Sequence, residues 1–67
     1  MDIELLKKKR AERNISQDEM AEALGIKQKT YSFKETGRNE FKRDEIEIIK
    51  NILKLNSEEV YAIFFDN

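Results

Sequence analysis

Residues 17–35 read QDEMAEALGIKQKTYSFKE, and their order decides the fold. Ser16 stands just before this stretch and Glu19 follows three residues later. That spacing forms a capping box, in which each side chain satisfies a backbone N–H at a helix start, so a helix is predicted from about Gln17 to Leu24. Met20, Ala21 and Leu24 share one face of it, and Ala21 is small enough for a second helix to approach closely. Gly25 follows, where the chain must turn sharply with φ > 0 and no side chain. Ile26 and Tyr31 then restart an apolar face, and a second helix is predicted from about Lys27 to Lys34. Gln28, Lys29, Ser32 and Phe33 fall together on its opposite side.

A buried helix, a tight glycine turn and a second helix with an exposed amide-and-amine stripe make the helix-turn-helix pattern, which sets the second helix in a DNA major groove. The rest of the chain supplies a scaffold for such a pair. A first helix is predicted over about Ile3 to Arg13, with Ile3, Leu6 and Arg10 on one side and an end at Asn14, a residue that tolerates the left-handed conformation. Thr36, Gly37, Arg38, Asn39 and Glu40 form a loop. A fourth helix begins near Arg43, where Asp44 and Glu45 complement the helix dipole. Its Ile46, Ile49, Ile52 and Leu53 repeat at helical spacing and are expected to close the core. Asn56 and Glu59 make another cap-like start for a short fifth helix through Phe64, with Val60, Ile63 and Phe64 on the core side.

The chain resembles the lambda-repressor-like family of helix-turn-helix proteins, the Cro and repressor type. The resemblance rests on Gln17, Ala21, Leu24-Gly25-Ile26, Thr30-Tyr31-Ser32, Glu35 and the turn Thr36-Gly37-Arg38. It runs from the first helix to the terminal EEVYAIFF. The TYSFKETG segment followed by Phe41 is most similar to small phage and prophage regulators of Gram-positive bacteria. The resemblance implies a compact five-helix, all-α DNA-binding domain with its helix-turn-helix at the second and third helices, spanning residues 1–67.

The site follows from residue chemistry and from that resemblance together. Glutamine offers a donor and an acceptor at once, which matches adenine N6 and N7, so Gln28 is the first choice for base reading. In the repressors this chain resembles, a glutamine at the matching place contacts a base. Lys29 reaches either guanine O6/N7 or a phosphate, and Ser32 suits a base edge or a phosphate equally. Phe33 replaces the commoner polar or basic residue. It either meets a thymine C5-methyl or tucks against the fourth helix or a partner chain.

The resemblance assigns Gln17 to a phosphate contact. Lys27, Arg38, Lys42 and Arg43 are likewise read as DNA-backbone residues. Lys27 stands where a small capping residue is usual, so the third helix is expected to be weakly capped. By resemblance, Arg10 and Glu35 form a largely buried ion pair that ties the reading helix to the scaffold. Lys34 is expected to lay its stem on the core while its ammonium reaches out to water. Lys7, Lys8 and Lys9 read best as a solvated face. Tyr61 and Phe65 lie four apart and are read as a dimer contact, with core packing as the alternative.

Charge distribution supports the same partner. The net charge is −1, yet residues 7–43 hold eleven Lys/Arg against six Asp/Glu, a balance of +5, while residues 44–67 carry −4. The basic segment is the one that contains the two-helix motif, as a surface facing phosphates requires. With no cysteine and no histidine, disulfides, thiolate metal sites, the usual zinc ligand and the usual acid-base residue are excluded. No nucleophile, metal set or glycine-rich phosphate loop accompanies the scattered carboxylates, so no enzyme, metal or cofactor is expected. No apolar run approaches the ~18 residues of a membrane span, and MDIELLKKKR is no secretory signal, so a cytoplasmic protein of a bacterial or phage-infected cell is expected.

These features lead to a sequence-specific regulator acting as a dimer on a double-stranded DNA operator. The alternative is a protein-binding modulator that pairs with a larger phage repressor.

Overall fold

The computed structural model describes residues 1–65. Four of the five α-helices begin where a side chain accepts a backbone N–H at the cap, and the third begins from an extended residue without such a bond. The Asp2 carboxylate accepts from the Leu5 N–H at 3.0 Å and starts α1 (Ile3–Glu12). Ser16 and Glu19 close a reciprocal capping box at α2 (Gln17–Leu24). Lys27 is an extended N-cap with no side-chain bond ahead of α3 (Gln28–Glu35). The Glu45 carboxylate accepts from the Lys42 N–H at 2.8 Å and opens α4 (Arg43–Leu53). Asn56 and Glu59 repeat the capping box at α5 (Ser57–Val60).

The ends are made by left-handed residues. Gly25 has φ 70°, and the Ile26 N–H returns to the Ala21 carbonyl at 3.0 Å. A Cβ at Gly25 would meet nothing within 4 Å, so the position asks for glycine by conformation and not by space. Asn14 and Lys54 take the same conformation without glycine, at φ 56° and 53°. The Arg13 Nε donates to the Leu53 carbonyl at 3.2 Å, so a residue just past α1 satisfies an open carbonyl at the end of α4.

The buried core comprises Leu6, Met20, Ala21, Tyr31, Ile49, Leu53, Leu55 and Ile63, one or more from each of the first four helices and the C-terminal segment. Around them pack Leu5, Ile15, Leu24, Ile26, Phe41, Ile52, Val60 and Phe64. Phe41 bridges two regions, with its ring 6.0 Å from Tyr31 and 5.4 Å, edge-on, from Phe64. Such pairs add about 0.5–1.5 kcal/mol beyond area burial. Among the described residues there is no strand, and no helix is long and apolar enough to cross a membrane.

Several details differ from the sequence reading. The fifth helix does not run regularly through Phe64: after Val60 the backbone widens into a π-helical turn over Tyr61–Phe65. Within that turn Ile63 is fully buried and its carbonyl accepts the Asp2 N–H at 2.7 Å, which docks the C-terminal segment onto the start of α1. Ile46 is only half-buried and sits in a surface cleft with Phe41, Arg43 and Phe65, while Leu55 takes a core place. The αL turn at Lys54 directs Leu55 inward, something helical periodicity alone does not reveal.

Lys34 also departs from expectation. Its ammonium does not reach water but is held inside, donating to the Glu40 carbonyl at 3.0 Å and pairing with Glu45 at 3.1 Å. Nor is Lys9 a purely solvated member of its run, because it bridges α1 to Glu59 of α5. That contact raises the Lys9 ammonium and lowers the Glu59 carboxyl relative to their ordinary values.

Candidate nucleic-acid interface

Helix α3 is held from behind by a polar brace centred on Glu35, which is fully buried. Arg10 meets it in a two-pronged contact, Nε and Nη2 each donating at 3.0 Å to a different carboxylate oxygen. The Tyr31 hydroxyl donates to one oxygen at 2.5 Å, and the Gln17 amide to the other at 3.2 Å. Arg10 also donates to the Ile15 carbonyl at 2.9 Å, which ties the α1–α2 turn into the same cluster. No buried side-chain nitrogen or oxygen among the described residues lacks a partner. A buried polar network that is fully satisfied fixes geometry; a partly satisfied one would only cost stability.

The electrostatics follow from that arrangement. Burial alone would push the Glu35 carboxyl up, but the hydrogen bonds from Arg10, Tyr31 and Gln17 overcome it and hold the group below its ordinary value. Burial, and then the adjacent Glu35 carboxylate, push the Tyr31 phenol well above its ordinary value. Tyr31 therefore stays a neutral donor and Glu35 stays a carboxylate at neutral pH.

The brace reaches the surface through Gln17. Its amide nitrogen donates to Glu35, and its amide oxygen accepts from Gln28 Nε2 at 2.8 Å. Gln28 is exposed at the first turn of α3, so one side chain at the outer face is linked by two hydrogen bonds to a buried carboxylate. Lys29 is exposed beside it, and Ser32 and Phe33 are half-buried on the next turn. The half-buried Phe33 ring is flanked by cations. The Arg38 guanidinium lies 4.8 Å, and the Lys29 ammonium 5.8 Å, from its ring centroid.

Lys27, Arg38, Lys42 and Arg43 are all exposed, at the two ends of α3 and the entry to α4. With Lys29 they place five cations along the edge of the motif. Tyr61 and Phe65 are 60% and 55% exposed, so core packing does not account for either. Phe65 shares the surface cleft of Phe41, Arg43 and Ile46.

Two elements of the brace, and one ion pair beside it, have little or no signal in the sequence. The clearest is the Tyr31–Glu35 bond, where an i,i+4 spacing puts the two on one helix face. The resemblance gives Gln17 an outward phosphate contact only, and its inward bond depends on how α2 crosses α3. The Lys34–Glu45 pair had no local signal, because the two residues meet only after the loop between α3 and α4 has folded.

A family model described as Helix-turn-helix matches residues 6–60, well over half of the chain, and runs from within α1 to the end of α5. Comparison with curated proteins and with solved structures gave no match. The matched family is the Cro- and repressor-type group of DNA-binding transcription regulators. With its capped α2, its left-handed Gly25 and its outward-facing α3, the chain belongs to the lambda-repressor-like family of helix-turn-helix proteins.

Proposed function

We propose that this protein is a sequence-specific transcriptional regulator of the Cro or repressor kind, of phage or prophage type, that binds a DNA operator as a dimer and blocks transcription sterically. One observation carries the reading: Gln28 is exposed at the start of α3 and is oriented through Gln17 by the buried Glu35 cluster. A glutamine held by one amide atom still has free donor and acceptor capacity for an adenine edge, and its rotamer is already restricted before DNA arrives.

In this reading Gln28, Lys29, Ser32 and Phe33 form the groove-facing side. Gln17, Lys27, Arg38, Lys42 and Arg43 line the phosphates. Exposed Tyr61 and Phe65 supply the contact between two copies. The body measures 28 Å in its longest dimension, so two copies side by side suit half-sites about one helical turn, ~34 Å, apart.

Gel-shift titration of two variants tests the assignment. Gln28→Ala should cost about 1–3 kcal/mol on the cognate operator and relax preference at one base pair. Equal losses on cognate and random duplex would reject the base-reading role. Arg43→Ala should weaken binding to all sequences alike and lower the salt dependence by about one phosphate's worth.

A second reading, a modulator that pairs with a larger repressor, draws support from a net charge of only −1. It requires weak, unselective DNA binding by the protein alone, so the same titration separates the two.

A further inference from the structure

Phe33 is the one large apolar residue on the groove-facing side of α3, and its surroundings do not suit a base reader. Two cations occupy positions over its ring, Arg38 at 4.8 Å and Lys29 at 5.8 Å from the centroid. Both distances fall within the ~6 Å range where a ring quadrupole attracts a cation. A ring covered in this way has little free face to offer a thymine methyl.

The backbone of the same residue is equally committed. The Phe33 carbonyl accepts from the Arg38 N–H at 2.9 Å, the Asn39 N–H at 3.2 Å and the Thr36 hydroxyl at 3.0 Å. Gly37, at φ 84°, makes this reversal possible by turning the chain back over the last turn of α3. Arg38 is thus returned to Phe33 twice, once through its N–H and once through its guanidinium.

We infer that Phe33 is a positioning residue for DNA binding: its ring holds the Arg38 guanidinium, with Lys29 beside it, in place to meet a backbone phosphate. The inference rests on the DNA-binding reading above and replaces direct base contact as the role of this side chain. A free arginine on a loop would lose rotamer freedom when it binds a phosphate. One already held over a ring has lost part of that freedom beforehand, and because Arg38 is exposed its N–H donors stay available to a phosphate.

The test uses the full chain in fluorescence-anisotropy titrations against a selected operator and a random duplex over a range of salt. The variants are Phe33→Leu, Phe33→Tyr, Arg38→Ala and Phe33→Leu with Arg38→Ala. Phe33→Leu keeps an apolar side chain able to touch a methyl but removes the ring. It should weaken both duplexes about two- to fivefold and reduce the salt slope, by no more than about one unit. The double variant should bind no worse than Arg38→Ala, and Phe33→Tyr should restore wild-type behaviour.

A loss confined to the operator, an unchanged salt slope, or losses that add in the double variant would overturn the inference in favour of base contact. The free protein gives an independent readout: ring-current shifts on the Arg38 side-chain protons should be present in the wild type and absent in Phe33→Leu. Their absence from the wild type would overturn the inference even if DNA binding is strong. Failure of the wild type to bind any duplex would instead overturn the DNA-binding reading, and the inference with it.

Discussion

Lys34 and Glu35 are neighbours at the C-terminal end of α3, and both are buried charged residues with charged partners. They are accommodated in different ways. Glu35 is fully enclosed and receives four hydrogen bonds from Arg10, Tyr31 and Gln17, a shell that leads outward to Gln28. Lys34 has two acceptors, the Glu40 carbonyl and Glu45, and a stem long enough to move its ammonium to water. One site anchors the reading helix to α1 and α2; the other fastens the loop and the start of α4, where Arg38, Lys42 and Arg43 stand. Adjacent residues therefore brace two different parts of the proposed DNA surface, and the α3 side has the larger set of hydrogen bonds.

The largest expected effect comes from opening the Glu35 shell. Arg10→Ala leaves a buried carboxylate short of its main donor and should cost about 3–5 kcal/mol. A domain of this size has a net stability of only a few kcal/mol, so the variant should be largely unfolded by circular dichroism at room temperature. A loss under about 1 kcal/mol in urea unfolding would erase the distinction between the two sites.

Removing the partner at the second site should matter less. Glu45→Ala deprives Lys34 of its counter-charge and α4 of a capping carboxylate, but the lysine can swing outward, so roughly 1–3 kcal/mol is expected. The damage should also fall elsewhere. Hydrogen exchange should rise in Thr36–Lys42 while the α1–α3 contact stays protected. A cost equal to that of Arg10→Ala would show that the two pairs anchor α3 alike.

Acid is the gentlest probe. The folded Glu35 carboxyl is held below its ordinary value of 4.5, so the pair's contribution is fully present above that pH. As pH falls beneath 4.5 the unfolded chain takes up a proton that the folded one resists, and stability declines until the depressed folded value is passed. Glu19 is shifted in the same direction by its cap bonds, and Glu59 by Lys9 first and its cap bond second, and both add to the slope. NMR titration of the Glu35 carboxyl carbon should give a midpoint below 4.5; a midpoint above it would mean that burial prevails over the donors.

How much of this was legible depends on the range of each interaction. Helix starts at Ser16 and Asn56 were readable because a capping box is written within four residues, and Gly25 because only one residue type suits φ near +70°. Arg10 and Glu35 were named as partners by resemblance alone, since 25 residues separate them and nothing local joins them. The outward stripe of Gln28, Lys29, Ser32 and Phe33 followed from helical periodicity. What those side chains touch did not, because Gln28 leans on a residue of α2 and Phe33 on a residue beyond the αL turn. The burial of Lys34 is not legible for a related reason: its position in α3 is set by periodicity, but its counter-charge arrives from α4. The π-helical turn at Tyr61–Phe65 was missed as well, since apolar spacing at Val60, Ile63 and Phe64 fits a regular helix nearly as well.

The claim on which all else depends is that α3 reads bases with the face it turns outward. Selecting bound duplexes from a random-sequence pool with the purified chain tests it most directly. The account predicts enrichment of a two-fold symmetric consensus, with half-sites about one helical turn apart and a preference that Gln28→Ala relaxes at one position in each half. Recovery of duplexes with no shared sequence, at affinities that depend on salt alone, would contradict it.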